Sequence, residues 1–505
     1  MGSEAIRDLM VKTRHERQPL PNFQLFIHDK WPRILTLFGI FALSMVLYWH
    51  ASQRGLASVN TDMKAHDQSA YMGYAKKMYR TQGNYPGDGA RAPLYPALLA
   101  TQYSPRLSEE TFFERGKQLN VILSMALLAG LYLIFLRYLQ PFAAINLFLI
   151  TTFTLFAFKA PYFQPELLYY FVSFCAFLGM LKLIMEPDWR IGVLTGELLG
   201  FAHLIKPSVL PAIGIFGMVY IAQWAFRAYA NRRHLLSKSY PIPLAILPLA
   251  MLERGMGGEV NSCNHHHTTH QSVQYAALTG CCVILMFLLV GAPQFYRNKQ
   301  TFGSYFYNVN STFYVWYDSW AEVAQGTRAH GDREGWPDMP ADQIPTLATY
   351  LHTHTPHDIV QRFRTGLKES KIKHCKEFNY GYCRYVELYS WAALLLGLLV
   401  LPIYGIRYFF AGVFCLLYFG AYMLLYAWFV PINGGQRFML SLFLPFMFLM
   451  ALILNDPVIR RASIGISPRW RIRWVTLINC YIIALLVPDI YIILTSRIMA
   501  FNAGG

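Results

Sequence analysis

Apolar runs near or above the roughly 18 residues that suggest a membrane span recur along the whole chain. They fall at 34–50, 119–136, 141–158, 166–185, 191–205, 208–226, 275–292, 388–405, 409–429, 438–454 and 474–495. This pattern predicts an all-α polytopic membrane protein with about 11 transmembrane helices. Two long polar stretches interrupt it, 51–118 and 293–387. In the first, Tyr71, Tyr74, Met78 and Tyr79 recur at helical spacing, so both stretches are expected to carry amphipathic helices along the membrane surface. The chain then divides into a polar, basic tail (1–33), a transmembrane module (34–292), a large loop (293–387) and C-terminal transmembrane helices (388–505). The tail has no cleavable signal pattern and reads as cytosolic. Pro241 to Leu252 is apolar but short, and reads as interfacial; counted as a span, it would invert everything after it.

Charge gives the sidedness. Only 14% of residues are charged, against about a quarter in soluble proteins. The net charge of +16 bears on membrane orientation and anionic ligands, and no nucleic-acid motif is present. With the N-terminus inside, the short inner loops hold Arg137, Lys182, Arg190, the Arg227–Ser239 segment with Arg232, Arg233 and Lys238, Arg407, and Arg460 to Arg473. This is the positive-inside pattern, and the two long loops fall outside.

Four charged positions then share the outer face. Asp67 lies in the stretch Asn60 to Pro96, which also holds Asp62 and Asp88 and closes with Arg91-Ala-Pro-Leu-Tyr95-Pro96. A carboxylate opening a helix at a membrane surface is favoured in its ionised form by the helix dipole. Asp62 is its rival five residues earlier, without the tyrosines at matching offset. Glu166 follows Pro165, Lys206 precedes Pro207, and Arg437 follows Gly434-Gly435-Gln436. Singly, these read as an N-cap and as snorkelling anchors. Together, two carboxylates and two cations suit a proton acceptor beside an anionic, lipid-linked substrate.

The motifs also carry a resemblance. Asp67-Gln68 with Tyr71, Tyr74 and Ala75, then Arg91-x-Pro93-x-Tyr95-Pro96, resembles the first outer loop of GT-C membrane glycosyltransferases, of the protein mannosyltransferase and aminoarabinose transferase group. Gln68 stands where that group has Glu. Pro165-Glu166-Leu167-Leu168 is similar to the second acidic motif, usually Pro-Asp, and Lys206 matches a basic position after a short span. Arg437 with Phe438 and Pro445 looks like the C-terminal Arg-aromatic segment, and Tyr296-Arg297-Asn298 with Phe302-Gly303 and Tyr307-Asn308 like the start of the large outer loop. The resemblance implies sugar transfer from a polyprenyl-phosphate donor to a glycan, lipid or protein acceptor, with inversion. It makes Asp67 the general base and lets Glu166 hold the acceptor or tune Asp67. Lys206 and Arg437 would stabilise the departing phosphate, with Arg91 and Tyr95 as further substrate-binding candidates. No nucleotide site is needed, and no Gly-rich phosphate loop is present. No cofactor is assigned; the two carboxylates could bind a divalent cation or work without one. The implied location is a bacterial inner (plasma) membrane, with the site facing the periplasm or exterior. The alternative is a transporter or flippase of lipid-linked sugars, which would place its charges near the bilayer centre.

Remaining features read more plainly. Cys263, His265, His266, His267 and His270 fit no zinc spacing and read as a solvated inner loop, so no metal site is assigned. Cys375 and Cys383 share the outer loop and can form a disulfide. Asn310-Ser311-Thr312 is a glycosylation sequon within the aromatic run Tyr305 to Trp320. That run, with Asp318 and Glu322, borders an acceptor pocket or packs at the interface.

Overall fold

Helices carry almost all of the architecture, and their ends explain where the charged side chains collect. The computed structural model describes residues 31–64, 66–85, 87–236, 269–377, 382–400, 408–433, 436–461, 463–467 and 470–495. Its contacts divide the chain into two units between Leu47 and Tyr48. Helix α1 (Trp31–Ser58) crosses that boundary, and every other described element belongs to the second unit.

Among the described residues, eight helices are long and apolar enough to cross a membrane. They are α1, α4 (Glu109–Tyr138), α5 (Pro141–Lys159), α6 (Glu166–Met185), α8 (Leu210–Leu236), α9 (Thr269–Phe302), α14 (Phe409–Asn433) and α16 (Trp474–Thr495). The chain is therefore an integral membrane protein by composition and helix length. Two further segments expected to span are helical but shorter, α7 (Trp189–Ile205) and α15 (Phe443–Leu454); a third, α13 (Tyr382–Val400), covers the start of its expected span, the rest of which lies outside the described residues. Pro241–Leu252, Cys263 and His265 to His267 lie outside the described residues, as does the His270 side chain. One departure from an all-helical chain is a short antiparallel hairpin, β1 (Ser463–Ser467) with β2 (Trp470–Arg473).

Helix α4 begins ten residues before the apolar run that announces it. Ser108 caps it by accepting from the Thr111 amide, and Glu109 and Glu110 sit at its positive end, with Arg137 in its last turn. Proline at the first position starts α5, which widens into a π-turn over Thr151–Phe156. Helix α7 lies against α9 so closely that a Cβ at Gly196 would come 2.4 Å from the Val283 carbonyl oxygen. Buried amides pin distant helices together. Asn146 Nδ2 on α5 donates to Asn479 Oδ1 on α16 at 2.7 Å, and the Gln140 amide donates to Asn455 Oδ1 at 3.2 Å.

The first long loop folds as α2 (His66–Arg80) and α3 (Leu94–Ala100). Their apolar faces join Phe112, Phe113 and Phe163 in one core with Tyr71, Met72, Ala75, Tyr95 and Leu99. The large loop contributes α10 (Trp320–Gln325), α11 (Leu347–Thr353) and α12 (Pro356–Glu377), with a second core around Phe302, Tyr307, Phe313 and Tyr314. The two loops are sewn together at one seam. The Val309 amide donates to Gly89 O at 2.9 Å, and Asn308 Nδ2 donates to Ala90 O at 3.2 Å. Gly89 has φ +62, and a Cβ there would sit 2.7 Å from the Tyr307 ring, so only glycine fits this crossing.

Candidate functional site

Asp67 lies in the first turn of α2, where the unpaired amides favour a carboxylate. Its partner arrives from the segment that closes the same loop. Gly87 (φ +90) and Gly89 (φ +62) bend the chain on either side of Asp88. The Asp88 Oδ1 then accepts the amides of Ala90 (3.0 Å) and Arg91 (3.1 Å), which fixes the turn. Arg91 is thereby aimed back at α2. Its Nη2 donates to Asp67 Oδ1 at 2.6 Å and its Nη1 to Asp88 Oδ2 at 3.2 Å. The guanidinium also lies over the rings of Tyr71 (5.3 Å) and Tyr74 (6.0 Å). Burial works against the charge on Arg91, but Asp67, Tyr71 and Asp88 outweigh it and raise its pKa. Arg333, from the large loop, brings its Nη1 to 3.9 Å from Asp88 Oδ2.

The rival carboxylate is engaged locally. Asp62 Oδ1 accepts the Lys64 amide at 2.9 Å, and Gln68 Nε2 donates to the Asp62 carbonyl. Gln68, which stands where Glu was expected, is buried and holds the lead-in to α2.

A second ion pair forms at the mouth of α6. Glu166 is its first residue, only 4% exposed, and its Oε1 lies 3.6 Å from Lys206 Nζ. Its Oε2 is buried without a hydrogen-bond partner. The Lys206 ammonium sits 4.4 Å from the Phe438 ring centroid and 6.0 Å from that of Tyr169. Phe438 is the chain neighbour of Arg437, whose side chain lies outside the described residues.

Tyr95 and Asn120 connect the two pairs. Tyr95 is 1% exposed, packs edge-on against Tyr71 at 5.1 Å, and donates to Asn120 Oδ1 at 3.2 Å. Burial raises its phenol pKa far above the usual value. Asn120 Nδ2 in turn reaches the carbonyls of Tyr162 and Gln164, the segment that leads into Glu166. A small cavity opens here, lined by Tyr95, Asn120, Ser124, Lys159, Gln164 and Leu167. Tyr95 thus packs against the site and bonds to Asn120, and three residues that contact it, Asp88, Asn120 and Arg333, are not among the candidates read from sequence. Of these only Asp88 left a trace, the Gly-Asp-Gly spelling of a tight turn.

No family model, curated protein or solved structure matches this chain. The chemistry open to the site therefore rests on its own geometry. Among the described residues, no three His, Cys, Asp or Glu side chains converge as metal ligands. Elsewhere in the large loop, Cys383 is disulfide-bonded, while the side chain of Cys375, its expected partner, lies outside the described residues. Asp318 and Glu322 are committed within the loop. Glu322 accepts from Ser319 Oγ and the Asp318 amide, and Asp318 pairs with Arg362 and His354.

Proposed function

We propose that this chain is a membrane glycosyltransferase of the GT-C kind, moving a sugar from a polyprenyl-phosphate donor to an extracytoplasmic acceptor. The observation that supports it best is the Asp67–Arg91 pair at 2.6 Å, held at the N-terminus of a loop helix and tied through Tyr95 and Asn120 to a second acid–base pair, Glu166–Lys206. In this reading Asp67 takes the proton of the acceptor hydroxyl as its oxygen attacks the anomeric carbon. The bond between that carbon and the phosphate oxygen breaks, and the lipid phosphate leaves with the electron pair. Lys206 and Arg437 meet the charge that develops on it. Arg91 orients Asp67 and keeps it ionised, while Glu166 receives acceptor hydroxyls at its unpartnered oxygen.

A flippase or transporter of the same lipid-linked sugars remains the second reading, and one experiment separates the two. Glycolipids and surface glycans are compared by mass spectrometry with the gene intact, deleted, and carrying Asp67→Asn. Transfer predicts that deletion and Asp67→Asn both remove one glycosyl increment from an acceptor. If Asp67→Asn restores the full glycan profile to the deletion strain, Asp67 is not the base and transport becomes the better reading.

A further inference from the structure

An arginine and a histidine share one carboxylate, Asp318, where the large loop meets a membrane helix. Arg362, on the second turn of α12, is buried and uses its donors on four different partners. Nη1 reaches Asp318 Oδ1 (2.5 Å) and Tyr350 OH (2.9 Å), Nη2 reaches the Tyr317 carbonyl (2.7 Å), and Nε reaches the Trp428 carbonyl on α14 (3.2 Å). The guanidinium stacks 4.2 Å from the Trp428 ring centroid, and Trp428 Nε1 donates back to Val315 O at 2.7 Å. The other Asp318 oxygen, Oδ2, is 2.7 Å from His354 Nε2. On the far side of the imidazole, Nδ1 lies 3.0 Å from the Tyr350 carbonyl and 3.0 Å from Thr353 Oγ1. The ring stacks on Tyr350, centroids 3.9 Å apart.

Both ring nitrogens therefore face oxygen acceptors. Thr353 Oγ1 also lies 3.0 Å from the Thr349 carbonyl and 3.2 Å from the Tyr350 carbonyl, so when its proton goes to either it can accept from Nδ1. Only the doubly protonated imidazolium can donate to Asp318 and to Tyr350 at once. A neutral ring keeps one donor: protonated at Nδ1 it turns a lone pair on the Asp318 carboxylate, and protonated at Nε2 it gives up the bond to the Tyr350 carbonyl and holds Nδ1 by the Thr353 hydroxyl alone. The charged groups facing it are Asp318 from the 317–319 turn, and Arg362 and Asp358 from α12, with His357 beside Asp358.

We propose that His354 is a pH-sensitive latch, closing the α11 end of the large loop onto Asp318 when protonated and releasing it when neutral. Burial works against the charge, but the bonds to Asp318 and Tyr350 outweigh it and hold the pKa above the ordinary histidine value. A raised folded-state pKa means the stabilisation is complete below the unfolded value, roughly 6.5. It is lost as pH rises through the folded value. Arg362 keeps α12 on α14 through its bonds to the Trp428 and Tyr317 carbonyls while the His354 end loosens.

The test is hydrogen exchange by mass spectrometry on the full chain in nanodiscs from pH 5 to pH 8.5, corrected for intrinsic exchange. Peptides covering 347–354 should lose protection by about two- to fivefold on the alkaline side, the range for a half-exposed ion pair. Peptides from α4 and α6 should not change. His354→Gln should fix 347–354 at its alkaline level at every pH, with those control peptides reporting that the protein is folded. Equal protection of 347–354 across the range in the parent, or a pH dependence that survives His354→Gln, overturns the latch.

Discussion

Arg91 decides more at the candidate site than either carboxylate it binds. Its two arms take Asp67 and Asp88, so replacing it removes both contacts from two half-buried carboxylates and leaves Asp88 with the more distant Arg333, at 3.9 Å. Arg91→Ala should lower stability by on the order of 2–3 kcal/mol, somewhat less than the loss for a fully buried pair. Thermal unfolding of the solubilised protein measures this, and an unchanged midpoint would show the pair to be superficial. Asp67→Asn keeps the shape and the Arg91 contact but removes the basicity. It should reduce transfer by roughly 10²–10⁴-fold, the usual weight of a general base, in proteoliposomes supplied with polyprenyl-phosphate sugars. Asp62→Asn should be mild, because Asp62 only caps the Lys64 amide. The reverse ranking would move the base to Asp62. Sequence alone could single out Asp67 by its helical offset to Tyr71 and Tyr74. It could not reveal Arg333, 245 positions from Asp88, because nothing local marks a contact made across two loops.

At the scale of elements, the long apolar helices were legible because a span must hide its own backbone groups in a continuous hydrophobic run. Their ends were less so. Capping and charge at Ser108 to Glu110 extend α4 beyond the apolar run, and α9 likewise continues to Phe302. The π-turn in α5 had no signal in composition, since threonines there serve an ordinary helix equally well. The α7–α9 contact depends on missing side chains, and it can be tested directly. Gly196→Leu drives a side chain into the Val283 carbonyl and should cost at least about 3 kcal/mol, the upper end of overpacking penalties. Gly214→Leu on α8 is the control, because nothing lies within 4 Å of a Cβ there. Equal thermal unfolding midpoints for the two variants would mean that α7 and α9 move apart without penalty.

For the whole molecule, the charge of the short loops predicts that the two long folded loops lie outside. Cysteines placed at exposed Lys64 and Glu322 should react with an impermeant thiol reagent added outside intact cells. Cysteines at exposed Arg137, Arg190 and Arg461 should react only after permeabilisation. A mixed result within either set would break the proposed topology and take the extracytoplasmic site with it.

The Asn146–Asn479 bond also imposes a schedule on biosynthesis. Its partners are separated by 333 positions, so at about 5–20 residues per second the ribosome needs roughly 20–70 s to deliver the second after the first. Throughout that interval the carboxamide of Asn146 sits in a newly inserted helix before its acceptor has been made. A nascent chain halted before Trp474 should therefore stay bound to membrane insertion or quality-control factors, and site-specific photocrosslinking from position 146 should capture them until α16 emerges.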